Sequence, residues 1–142
     1  TLNVNLTSQS ANIDINFNDQ SVAVFDAAKW FALQAAQVFN YGNASTTSGT
    51  LTLIISYTVP TGKTLYITAL GGNLRGSVAG FRIQISNGTT GVTYAAFGGH
   101  GGCVAILDIP AVAAASDNVQ LTAAQESGVT RTIDCFFNGY LI

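Results

Sequence analysis

An all-β sandwich or barrel is the fold class this sequence predicts, and three observations predict it. From Thr50 onward, apolar and polar residues alternate in short runs, the signature of half-buried strands. Gly-rich turns separate the runs at intervals of roughly 8–12 residues, as in sandwiches and barrels. The connections are also too short to hold the crossover helices of a parallel α/β sheet. The chain has 142 residues, the size of one domain with a substantial core.

Residues 1–20 carry two alternating runs, Leu2-Val4-Leu6 and Ile13-Ile15-Phe17, separated by Ser8-Gln9-Ser10-Ala11-Asn12. They read as a β-arm or hairpin, which must lie on something because a lone hairpin is marginally stable. These six apolar residues are therefore candidate subunit contacts, and residues 21–142 are read as one domain. The stretch 22–39 (VAVFDAAKWFALQAAQVF) is the one helical candidate, at about 26–39. It lacks Gly and Pro, is rich in Ala, and offers Asp26 as an N-cap. Its second half, Phe31-Leu33-Ala35-Gln37-Phe39, also alternates as a strand would. Tyr41 to Gly49 reads as loop. Strands are expected at about 51–58, 64–70, 81–86, 92–97, 103–109, 118–123 and 130–142. Asn87-Gly88 suggests a hairpin closed by a type I′ turn.

The surface is short of charge. Asp, Glu, Lys and Arg make up 8% of the chain, against about 25% in an ordinary soluble domain. Hydrophobic residues reach 48%. Even so, Asp26, Lys29, Gln34 and Gln37 interrupt the longest apolar candidate, so no membrane-spanning helix is expected. The five basic residues, Lys29, Lys63, Arg75, Arg82 and Arg131, are scattered. Nucleic-acid binding, which needs clustered cations to displace counterions, is not expected. A polar but nearly neutral surface does little to hold copies apart, so the chain is expected to pack against itself. The start at Thr1 fits a removed leader or a removed initiator Met. Sequons at Asn5, Asn43 and Asn87 would permit glycosylation of an exported chain.

The motifs that resemble chemistry are weak. Gly62-Lys63-Thr64 ends like a phosphate-binding loop, but Tyr57 stands where the first glycine belongs and a strand pattern follows instead of a helix. Pro60-Thr61-Gly62-Lys63 is instead a sheet corner, with Pro at the second turn position and Gly62 at positive φ. The single His, His100, sits in Gly98-Gly99-His100-Gly101-Gly102 without a partner at metal-ligand or triad spacing. Those glycines mark a flexible connection or a close approach of another backbone. Cys103 and Cys135 read either as a disulfide or as two buried thiols packing as small hydrophobes. No pair of the seven acidic residues has the setting of a general acid and base, and no calcium-loop pattern occurs. The expectation is no catalysis, no cofactor and no resident metal.

From Tyr57 onward the order of segments carries a resemblance. The residues are Val59-Pro60 with Gly62-Lys63, then Ile109-Pro110, Asp117-Asn118-Val119 and Gly139-Tyr140-Leu141-Ile142. Over roughly the last 90 residues the chain resembles small TNF-like jelly-roll domains of phage and virus surface, decoration or fibre proteins. It departs from them at Ala114-Ala115-Ser116, where such domains often carry Pro-Ala-Gly. The resemblance implies an antiparallel jelly-roll β-sandwich. It also implies a self-assembling structural protein, trimeric or larger, on a virion or an extracellular surface. A carbohydrate- or receptor-binding module is the alternative, with Trp30, Tyr41 or Tyr94 available to stack on sugar rings. The expected partners are thus copies of the chain itself, and beyond them a capsid, a cell surface or glycans.

Overall fold

The computed structural model describes residues Ala36–Ile142. Eight strands follow one another: β1 (Ala36–Thr46), β2 (Thr52–Thr58), β3 (Leu65–Leu74), β4 (Gly80–Asn87), β5 (Thr93–His100), β6 (Gly102–Ala113), β7 (Asn118–Gln125) and β8 (Arg131–Leu141). No helix occurs among the described residues. The backbone ladder runs β1-β8-β3-β6-β5-β4-β7-β2, antiparallel throughout. β5 and β6 share a single pair, His100 with Gly102, so the ladder divides there into two four-stranded sheets. The orders β1-β8-β3-β6 and β5-β4-β7-β2 are the two sheets of a jelly-roll sandwich.

Alternation decides which residues meet between the sheets. On β8, Ile133, Cys135 and Phe137 point inward and Asp134, Phe136 and Asn138 outward. Leu65, Ile67 and Leu70 of β3, Ile83 and Ile85 of β4, and Val119 and Leu121 of β7 complete a core with essentially no solvent exposure. Each such side chain contributes about 1.5–3 kcal/mol of burial free energy.

Seven of the eight strands lie where alternation places them; β1 does not. The stretch read as the end of a helix and then a loop forms an eleven-residue strand paired with β8 from Ala36–Leu141 to Thr46–Arg131. Alanine content favoured helix, but the period-two pattern through Gln37 and Phe39 was the better guide, because tertiary pairing overrides intrinsic propensity. Residues 26–35 of that helical candidate lie outside the described residues, as do the two runs at 1–20.

Three turns refine the expectations. The β4–β5 hairpin forms, but Gly88 is not at positive φ; Gly91 is. Asn87 Oδ1 instead accepts hydrogen bonds from the amides of Thr89 and Thr90, at 2.8 and 3.0 Å, and closes a longer loop in place of a type I′ turn. At the sheet corner the Lys63 amide donates to the Pro60 carbonyl at 3.1 Å, which makes Pro60 the first turn residue, and Gly62 takes φ 74°. Before β7, the departure at Ala114-Ala115-Ser116 still makes the turn. Ser116 adopts φ 68°, and Asp117 Oδ2 accepts the Ala114 amide at 2.9 Å. β6 extends past Ile109 by absorbing Pro110 in a register break opposite Ile67 and Ala69, which an edge strand tolerates.

Candidate assembly interface

The two long sides of the sandwich differ. On one side β1 lies against β2 and the space between the sheets is closed. On the other, β5 and β6 separate from their single shared pair, and among the described residues neither has a strand on its outer edge. Core-facing residues are therefore left partly uncovered. Phe97 sits opposite Ile83, on the inward face, yet keeps 36% of its surface exposed. Ala95 on β5 and Cys103, Ala105 and Leu107 on β6 pack against the core and remain half-buried.

Both edges lack the usual protection. Between Thr93 and Ala113 the only carboxylate is Asp108, and no Lys or Arg occurs. Charged side chains, above all Lys, are the common means by which edge strands avoid pairing with other chains. The one blunting device here is Pro110, far along β6 from the shared pair.

A second apolar surface is the outer face of the β1-β8-β3-β6 sheet. Phe39 stacks on Phe136 at 6.1 Å between ring centroids, and Tyr66 stacks on Tyr140 at 5.1 Å with planes 8° apart. Phe136 lies over Gly71, where a Cβ would come within 2.7 Å of its ring. Val104 and Ile106 extend the face along β6 with most of their surface exposed. Sequence reading missed this surface. Its members sit at alternate positions on four strands, and only the strand order gathers them.

One end of that face is pinned electrostatically. Arg75 donates from its Nε and terminal nitrogen to both oxygens of Asp134 at 2.6 Å, and Tyr41 donates its hydroxyl to the same carboxylate. The Arg75 guanidinium holds the Asp134 carboxyl below its usual range, with the Tyr41 hydroxyl helping against the opposing effect of partial burial. A depressed folded-state value stabilises the fold at pH above the unfolded carboxylate value, and that stabilisation disappears as pH falls through the folded one. Asp134→Asn should therefore lower the thermal midpoint at pH 7, and the gap to wild type should shrink in acid. A gap independent of pH would mean that packing, not charge, makes the contact.

The residues singled out from sequence separate as follows. Cys103 and Cys135 are free thiols. Both are register partners of Gly72, one from each flanking strand, so their Cα atoms are two strand spacings apart, about 9.5 Å. A bridge needs a Cα separation below about 7 Å. Burial pushes the Cys135 thiol up to about 12, with Cys103 and Asp134 adding to the shift, and burial also raises Cys103. Neither is set up as a nucleophile.

His100 ends β5 beside a cavity of about 400 Å³ that Arg82, Gln125 and Glu126 also line. The fully buried Gln125 spends its amide there on the carbonyls of Thr46 and Val129. The glycines around His100 mark close approach, since a Cβ on Gly99 would stand 3.0 Å from Cys103 Cβ and from the Gly102 carbonyl oxygen. Among the described residues no three His, Cys, Asp or Glu gather as metal ligands. Tyr94 donates its hydroxyl to Asp117 at 3.1 Å, which ties the ring to the loop before β7. Of the sequons, Asn87 is buried with its side chain engaged and Asn43 is on β1; Asn5 lies outside the described residues, as does Trp30.

No family model and no curated protein matches the chain. The structure bears out the jelly-roll sandwich, and no family match supports the resemblance to TNF-like surface domains. Among solved structures, one described as "Bacillus endospore appendages form a novel family of disulfide-linked pili" matches with a TM-score of 0.46 and 14% identity, over 74% of this chain and 86% of that one. "Crystal Structure of FLHE" matches with a TM-score of 0.32 and 13% identity, over 74% and 98%. Likenesses this distant carry no argument about what the chain does.

Proposed function

We propose that this chain is a non-enzymatic structural protein that polymerises through its sheet edges into an extracellular filament, fibre or surface layer. The observation that carries the reading is the β5/β6 side, where two edges that no described strand pairs, and that hold no Lys or Arg, flank core residues left half-covered. An unpaired edge presents a row of free amides and carbonyls, a template for another strand. The low charge of the whole chain removes the repulsion that would oppose contact between copies. The aromatic outer face supplies further apolar area of the kind that protein contacts cover.

Electron microscopy of the purified full chain should reveal ordered polymers. The double variant Ala96→Lys, Val104→Lys places a charge on the outward face of each open edge and should leave folded, dispersed subunits. Deleting residues 1–20 should abolish assembly as well, and polymers that survive the deletion would refute the arm's part in it. A wild-type chain that stays monomeric at high concentration would overturn the reading itself.

A further inference from the structure

The lining of the β5/β6 cleft is apolar but only partly covered, where the rest of the core is fully buried. Facing inward from the two edges are Ala95, Phe97 and Gly99 on β5 and Cys103, Ala105 and Leu107 on β6. Across the core from them stand Ile, Leu and Phe side chains with no exposure. Core-facing apolar side chains left partly in water along one rim would gain burial free energy from an apolar segment laid over them. Among the described residues no strand pairs with the outer edge of β5 or β6, so an added strand would fit there.

The chain carries a segment of matching form. Ile13-Asp14-Ile15-Asn16-Phe17 alternates three large apolar residues with two polar ones and holds neither Gly nor Pro. Laid along an edge, it would send Ile13, Ile15 and Phe17 to one side and Asp14 and Asn16 to the other. Residues 18–35 separate it from Ala36, the first residue of β1, and when extended they span about 60 Å. β1 lies on the closed side of the sandwich, beyond β8 and β3 from the cleft. A span of that length would be enough for the segment to meet the open side of an adjacent copy.

We propose that the β5/β6 cleft is the receptor for residues 13–17 of a second copy, which enter as an additional strand with Ile13, Ile15 and Phe17 covering the lining of Ala95, Phe97, Cys103, Ala105 and Leu107. This rests on the polymerisation reading and adds to it the site and the occupant. The contact is head-to-tail: each copy gives a strand from one side and receives one on the other, so the assembly propagates unless its rotation closes a ring.

Cys103 is the natural reporter, because it lines the cleft as a free thiol. Ile13→Cys, Ile15→Cys and Phe17→Cys, each in the full chain, are oxidised mildly and run on a denaturing gel without reductant. At least one should give a ladder of disulfide-linked oligomers, which vanishes when Cys103→Ala is added. Asn16→Cys, on the opposite face of the same segment, should give none. Ala105→Phe, which fills the cleft from within, should lose polymers while its circular dichroism stays that of the folded sandwich. If that variant misfolds, the cross-linking series decides alone.

Polymers of all three inward variants without any Cys103 cross-link would overturn the proposal and leave the polymerisation reading standing. A cross-linked monomer would overturn it too, since the segment would then fold back on its own sandwich. Absence of polymers from the wild-type chain would strike the parent reading instead.

Discussion

Phe137→Ala should lower the free energy of unfolding by about 3–5 kcal/mol, the usual loss when a core aromatic is truncated to Ala. Phe137 has no exposed surface and meets Tyr57 edge-to-face at 6.0 Å between ring centroids. It therefore joins β8 of one sheet to β2 of the other, and its loss removes both burial and an oriented aromatic pair. The surrounding strands are fixed by ladders on both sides, so the cavity has little scope to collapse. A total stability of roughly 5–15 kcal/mol would be cut severely. Urea unfolding followed by circular dichroism measures the change; a loss below 1 kcal/mol would mean that the core around Phe137 is not packed as described.

Gly139→Ala should destabilise by about 3 kcal/mol, at the upper end of overpacking effects, for a different reason. Gly139 pairs with Ile67 where the β3–β8 register breaks. A Cβ there would press into the carbonyl oxygen of Tyr66 and stand 3.1 Å from its carbonyl carbon and 3.2 Å from Ile67 Cα. All three are backbone atoms in the middle of a paired strand, so no side chain can turn aside to make room. The strands must separate, and hydrogen bonds are lost with them. An unchanged unfolding midpoint in the Ala variant would show that the two backbones are not in such close approach.

These two positions illustrate what could be read in advance. Phe137 falls on the inward phase of Ile133, Cys135 and Phe137, and period-two alternation is visible in one dimension. Gly139 looked like part of a terminal motif; its reason is the backbone of a strand some seventy residues away. β1 was hidden for a related cause. Its inward positions include Gly42, where a Cβ would collide with the carbonyl oxygen of Ile54 and the side chain of Ile55. A strand that must be thin where it meets its neighbour does not show a clean apolar alternation. Composition suggested a chain that meets its own copies, since charge is counted without knowing the fold. The open cleft could not be found that way, because being an edge is a property of strand order. Cys103 and Cys135 were visible as a pair, but only the register puts them on either side of Gly72.

The single backbone pair between His100 and Gly102 has a consequence for motion. Apart from that pair, amides on the outer edges of β5 and β6 have no strand among the described residues to protect them, so this side is expected to open most readily. In the assembly proposed above, a copy that receives a strand there would stop breathing, and the conformational entropy of that edge would be lost at the moment of assembly instead of during folding. In such a head-to-tail assembly every addition would order one donor and one receiver, as the first contact does. Growth should thus start without a lag, and hydrogen exchange at β5 and β6 would slow in step with the polymer that forms.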